Sequence, residues 1–286
     1  MKYKLYTKII FFLIVMNQNL FSQNNKNYLP HGTILVALIC NDGILFATDS
    51  RSSFTISNID SNGKNIENVF AYMNNDKKLY KINEYLIAVS GLSMFNKKYI
   101  RDLISDYNDN GTLEKNIKIE EEFDGFLNYL ISENNLSKAE IFNENTFIIA
   151  GYENSKPKIL SQLKEERNFS DEIGRMFYSD VLFKQFVKVS PNTELTCSNL
   201  CPIIEKAIID YATFKGDYKV GGPVEIVQIK PDNTHISLRS FKANYYKTYE
   251  ETAKAIFNKE IEVHYLFPES EEKLKSTLLE GIKEGY

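Results

Sequence analysis

The chain has 286 residues, with 34 Lys plus Arg against 38 Asp plus Glu, a formal net charge of −4. Charged residues make up 25% and the hydrophobic set 43%, an ordinary folded balance that excludes an acidic disordered tail and a collagen-like repeat. No basic stretch is concentrated enough to make nucleic acid the main partner, and three cysteines are too few for a disulfide framework.

Lys2, Lys4 and Lys8 precede the apolar run Ile9-Ile10-Phe11-Phe12-Leu13-Ile14-Val15-Met16. A basic start and a short apolar core predict a signal peptide over residues 1–22, cut after Ser22. The run is too short to cross a bilayer, which needs roughly 20 residues. No other stretch could span a membrane, so the body is expected to be secreted or periplasmic.

Ile34 to Cys40 is a continuous apolar run and reads as a strand buried on both faces. Asp42-Gly43 predicts a hairpin turn, with Ile44 to Thr48 as the returning strand. Residues 52–68 are polar and read as a long loop or hairpin. Leu79 to Ile82 and Tyr85 to Ser90 are two short strands. Gly91 then opens a helix with Phe95, Tyr99, Ile100, Leu103 and Ile104 on one face. A second helix runs from about 119 to 133 on the stripe Phe123, Phe126, Leu127, Leu130 and Ile131. Thr146 to Gly151 is a buried strand, and Lys158 to Ser161 returns. A helical patch lies near 178–187. Another helix starts around Ser198, with Pro202 in its first turn. Val224 to Ile229 and His235 to Leu238 are strands. Residues 247–258 and 270–283 read as two solvent-facing helices.

Grouped strands with paired helices suggest two sheets packed face to face and covered by helices, an α+β architecture. No linker interrupts residues 33–240, so one domain is expected there, followed by a helical extension over 241–286.

The chain has no Gly-x-Ser-x-Gly, no Walker loop, no Gly-x-Gly-x-x-Gly and no His-Glu-x-x-His. Its histidines are His31, His235 and His264, which do not suggest a triad or a His-rich metal site. Cys197 and Cys201 are four apart at a helix start, an awkward spacing for a disulfide and an incomplete zinc site, so they read as two partly buried thiols. What remains is a nucleophile that needs no histidine. A Thr at a mature N-terminus can use its own α-amine as base, because that amine has a pKa near 7.7–8.0. A Lys beside the hydroxyl favours the alkoxide, a carboxylate holds the Lys, and a backbone N–H stabilises the oxyanion. Thr33 follows Gly32 and opens the first strand, Asp49 closes the second, and Lys78 precedes the third. No cofactor or metal is called for.

His31-Gly32-Thr33 followed by ILVALICNDGILFATDSR resembles the start of a proteasome β-type subunit. So do DKKLYKI (76–82), YLIAVSGL (85–92), FIIAGYE (147–153) and DYKVGGPVEIVQI (217–229), and the similarity covers about residues 32–240. The resemblance implies the four-layer αββα sandwich of the N-terminal nucleophile hydrolases. It implies Thr33 as nucleophile and Gly32 before an autocatalytic cut, so that residues 23–32 are a propeptide. It also implies Asp49 as the carboxylate holding Lys78, with Lys77 as the fallback lysine, and Arg51 orienting that lysine through its backbone. Gly91 is the implied oxyanion donor and Asp217 a support on the far side of the threonine. Val220 and Arg175 stand where the family carries serines, in the latter case within Gly174-Arg175-Met176.

The expected activity is that of an exported threonine-type hydrolase, a peptidase cutting peptide substrates, with assembly into a homo-oligomeric ring as a further implication. The alternatives are an inactive scaffold or binding subunit, motivated by Val220 and Arg175, and an acylase of small amides on the same fold.

Overall fold

The computed structural model describes residues 33–59, 65–91, 94–95, 98–110, 117–134, 137–163, 166–216, 218–245 and 248–284. The predicted signal peptide and propeptide lie outside these residues, as does Asp217.

Two hairpins open the chain. The first joins β1 (Leu35–Cys40) to β2 (Gly43–Asp49), and the second joins β3 (Ser52–Ile59) to β4 (Asn65–Met73). β5 (Leu79–Ile82) and β6 (Tyr85–Ser90) follow, then a small hairpin of β7 (Met94–Phe95) and β8 (Lys98–Tyr99). Three helices come next: α1 (Ile100–Asn110), α2 (Ile119–Asn134) and α3 (Lys138–Glu144). β9 (Thr146–Glu153), β10 (Lys156–Leu163), β11 (Glu166–Ser170) and β12 (Met176–Tyr178) lead to a 3-10 turn at Val181–Phe186. α4 (Cys197–Lys215), β13 (Val224–Ile229), β14 (His235–Arg239), α5 (Tyr249–Phe257), β15 (Val263–Tyr265) and α6 (Ser270–Lys283) complete the order.

The chain is α+β with several antiparallel sheets. One five-stranded sheet runs β12-β1-β2-β13-β14, and another runs β11-β10-β9-β6-β5. A three-stranded sheet runs β15-β4-β3, and β7 pairs with β8 alone. All of these strand pairs are antiparallel.

Side chains alternate sides along a strand, and the apolar residues divide accordingly. On β9, Phe147 and Ile149 join a cluster with Phe123, Phe126 and Leu130 of α2 and Leu103 of α1. Ile148 and Ala150 of the same strand pack instead with Leu35, Ala37, Ile44 and Phe46 of β1 and β2. The alternate residues of β1 and β2, among them Val36, Leu38, Leu45 and Ala47, pack against Leu200, Ile204, Ile208 and Tyr211 of α4. This two-sided burial explains why these strands read as unbroken apolar runs.

Several expectations change. The helix expected from Gly91 begins only at Ile100; Phe95 and Tyr99 sit on the β7–β8 hairpin, paired as Met94↔Tyr99 and Phe95↔Lys98. Of the two readings of the polar stretch at 52–68, loop or hairpin, the hairpin holds, with its second strand continuing to Met73. The patch near 178–187 is a single 3-10 turn, capped by Asp180, whose carboxylate accepts from the Leu182 N–H. The two C-terminal helices are not simply solvent-facing. Ala253, Ile256, Leu274 and Leu278 pack on Phe54, Phe70 and Met73 of β3 and β4. α4 starts one residue early, capped by the Thr196 side chain accepting from the Asn199 N–H. Pro202 therefore falls in its second turn, where it removes one ladder hydrogen bond.

Candidate functional site

Asp49 ends β2 with its side chain wholly buried. A carboxylate out of water must have its lone pairs filled, and here four donors converge on it. Oδ1 accepts from the Ile34 N–H at 3.0 Å and from Lys78 Nζ at 3.3 Å. Oδ2 accepts from the Gly221 N–H at 2.8 Å and the Arg51 N–H at 3.3 Å. Lys78, immediately before β5, is 5% exposed, and its ammonium also donates to the Arg51 carbonyl. Lys78, not Lys77, is thus the lysine facing Asp49; Lys77 is exposed.

Burial pushes the Lys78 ammonium below its usual range, opposed by the charges of Asp49 and Asp76. Burial also pushes the Asp49 carboxyl upward, opposed by Lys78 and by the N–H groups of Gly221, Ile34 and Arg51. Each group's charged form is favoured by the other and, for Asp49, by the N–H donors around it, against the cost of burial. Loss of either would leave an uncompensated buried charge.

Thr33 is half-buried one residue before Ile34, so the peptide that donates to Asp49 is the one following the threonine. Its carbonyl accepts from the Ser90 hydroxyl at 3.0 Å and the Ser179 hydroxyl at 3.3 Å. Ser179 also accepts from the Leu35 N–H at 3.0 Å, and its own N–H donates to the Leu35 carbonyl at 3.1 Å. Gly91 follows Ser90 and has φ +118°, a conformation open to glycine and strained for other residues. The structure therefore brings Thr33, Asp49, Lys78 and the Ser90-Gly91 corner together.

The glycine pair at 221–222 is required by close approach. Gly221 (φ +146°) lies where an added Cβ would sit 2.7 Å from the Arg51 guanidinium carbon. At Gly222 (φ +75°) a Cβ would meet the Ser50 hydroxyl at 2.7 Å. Arg51 itself is clamped: Nε donates to Asn74 Oδ1 at 3.1 Å, and the guanidinium lies 4.0 Å over the Tyr72 ring. Tyr72 stacks in turn on Tyr218 and on His264 of β15. The extension after residue 240 thus reaches the rim of the site. Asn244 reinforces this by donating to the carbonyls of Asn74 and Asn75.

Arg175 does not take a serine's place beside Thr33. Its carbonyl accepts from the Ile39 N–H, six residues along the strand from Thr33. At about 3.3 Å per residue that is roughly 20 Å away. The hydroxyls near Thr33 belong to Ser90 and Ser179, neither of which sequence reading singled out. The available signal was the Ser179-Asp180 pair ahead of the 3-10 turn, but only strand register connects it to a residue 146 positions earlier. Val220 is buried among apolar residues of α4 and β13, and the Gly221 N–H after it serves Asp49.

Among the described residues, no helix is long and apolar enough to cross a membrane. No protein-family model matches the chain, and no curated protein matches it. A solved structure described as the Anbu (Gly-1) mutant from Hyphomicrobium sp. strain MC1 is similar at 13% identity and a TM-score of 0.47. The similarity covers 88% of this chain and 96% of that one. The expected membership of the proteasome β-type, N-terminal nucleophile family is corrected by these findings. The sheets of the described residues are antiparallel, the β15-β4-β3 sheet and its two helices stand beside the two five-stranded sheets, and 13% identity does not show family membership. The physical reason is that the resembling segments are short apolar strands and an Asp-Gly turn, a composition that any buried antiparallel hairpin shares.

Proposed function

We propose that the chain is an exported hydrolase of peptide amide bonds in which Thr33, freed by a cut after Gly32, is the nucleophile. One observation carries the reading: a single buried carboxylate oxygen of Asp49 takes both the Ile34 N–H and Lys78 Nζ. The lysine head group is thereby held one peptide from the threonine. Three apolar clusters support a finer reading of the fold, with the two five-stranded sheets stacked between helices.

In this mechanism the Thr33 hydroxyl oxygen bonds to the substrate carbonyl carbon, and its proton passes to the Thr33 amine. Lys78 supplies positive potential beside the forming alkoxide, and Asp49 keeps that charge in place. The Gly91 N–H receives the negative oxygen of the tetrahedral intermediate. The carbonyl re-forms as the C–N bond breaks, and the leaving amine takes the proton. Water then attacks the Thr33 ester, with the same amine as base, and releases the acid. Ser90 and Ser179 hold the Thr33 carbonyl and so fix the direction of the residue. Asp217, outside the described residues, keeps its proposed supporting role.

Thr33→Ala is expected to abolish peptide hydrolysis and to leave the bond after Gly32 uncut, read by a fluorogenic peptide assay and N-terminal sequencing. Hydrolysis unchanged in that variant would eliminate the proposal. A second reading, a non-catalytic binding subunit, is favoured by the filled hydrogen-bonding capacity of Asp49 and by apolar Val220. It calls for residues 23–32 still attached and no labelling of Thr33 by an epoxyketone probe. Turnover of small N-acyl amides in preference to peptides would redirect the proposal to an acylase.

A further inference from the structure

At the far end of the β1–β2 hairpin from Asp49, three potential ligand atoms meet. Cys40 ends β1, Asp42 lies in the turn, and Cys197 is the first residue of α4. The two sulfurs and a carboxylate oxygen all lie within 4.8 Å of one another. Both cysteines are buried, at 3% and 0% exposure, while Asp42 is exposed. The sequence spacing draws attention to Cys197 with Cys201, but folding puts the Cys40 sulfur within 4.8 Å of the Cys197 sulfur instead.

The surroundings hold the three groups in place. The Cys197 N–H donates to Asp42 Oδ1 at 2.7 Å. Gln228 Nε2 donates to the Asp42 carbonyl at 2.9 Å and to its Oδ2 at 3.2 Å. The Asn41 N–H donates to the Leu195 carbonyl at 2.7 Å, which ties the turn to the approach of α4. Gly43 allows the turn to pass beneath β13, since a Cβ there would sit 2.7 Å from the Ile229 carbonyl oxygen.

We propose that Cys40, Asp42 and Cys197 form a zinc site that staples the β1–β2 turn to the start of α4. Two thiolates and a carboxylate suit a borderline-soft d10 dication. Tetrahedral bonds of about 2.3 Å to sulfur set the two sulfurs about 3.8 Å apart, within reach by small side-chain movements. The solvent side, where Asp42 is exposed, leaves the fourth position to water. Each thiol loses its proton as the cation takes its place, so binding tightens as pH rises. Because the site is far from Thr33, it acts on stability rather than on the proposed hydrolysis.

The test uses the full chain, reduced and metal-free, titrated with zinc alone. One zinc per chain is expected, and cobalt in its place should give thiolate charge-transfer absorption. Cys40→Ser and Cys197→Ser should each lose stoichiometric binding, and Cys201→Ser should keep it. Should the serine variants fail to fold, zinc on the wild type should still protect Cys40 and Cys197, but not Cys201, from alkylation. Absence of binding by the reduced chain, binding unaffected by Cys197→Ser, protection of no cysteine, or a Cys40–Cys197 disulfide in the protein as purified would overturn the proposal.

Discussion

The two ends of the β1–β2 hairpin carry the same residue type in opposite circumstances. Asp49 is buried at one end, with three backbone N–H donors and a paired ammonium. Asp42 is exposed at the other, capping α4 with one oxygen beside two thiols. The strands between are apolar on both faces. The contrast teaches that position relative to water, not residue identity, decides whether a carboxylate organises a core or remains open to a ligand.

The strongest way to break that contrast is Asp49→Ala. It removes the carboxylate facing the buried Lys78 and leaves three N–H groups without that acceptor. We expect a loss of about 3–5 kcal/mol, measured by urea unfolding; a loss near zero would show that the pair is not what holds this end. Gly222→Ala comes next, at about 1–3 kcal/mol, since φ +75° and the Ser50 hydroxyl both oppose a side chain there. Asp42→Ala, tested without metal, should cost only about 1 kcal/mol, the value of one helix cap. If it costs as much as Asp49→Ala, the two ends are equivalent and the comparison fails.

An ion pair away from the hairpin sharpens the point with the smallest effect. Arg167 makes two hydrogen bonds to Asp124 and lowers its carboxyl below the ordinary 3.8. A depressed carboxyl contributes stability above its unfolded value, and that contribution is lost as pH falls through the folded one. Arg167→Leu should therefore lose under about 1 kcal/mol at pH 7, because Asp124 is largely solvated. The difference from wild type should narrow as pH falls below 3.8; a difference independent of pH would assign the effect to lost packing on Phe123 instead.

Legibility followed the range of the interaction. The α2 stripe of Phe123, Phe126 and Leu130 marked the helix to within a residue at its end, because those residues bury one face at helical spacing. The same reasoning failed at Phe95 and Tyr99, whose spacing fits a helix but whose burial is equally satisfied on a tight hairpin. Thr33, Asp49 and Lys78 were singled out through the resemblance, and each stands at the end or start of a strand. Ser179 was not, and Arg175 was misplaced, since nothing local distinguishes which residue of a short strand falls opposite Leu35.

By itself the chain's order of residues determined β1, β2, β5, β6, β9, β10, β13 and β14, the helices α2, α4, α5 and α6 and the polar residues at their ends, because apolar periodicity and turn chemistry act within a few positions. Only the tertiary structure decided that Ser179 reaches Thr33, that the Gly221 N–H completes Asp49, and that Cys40 lies beside Cys197. Those contacts depend on strand register and helix placement, which a one-residue slip would reverse.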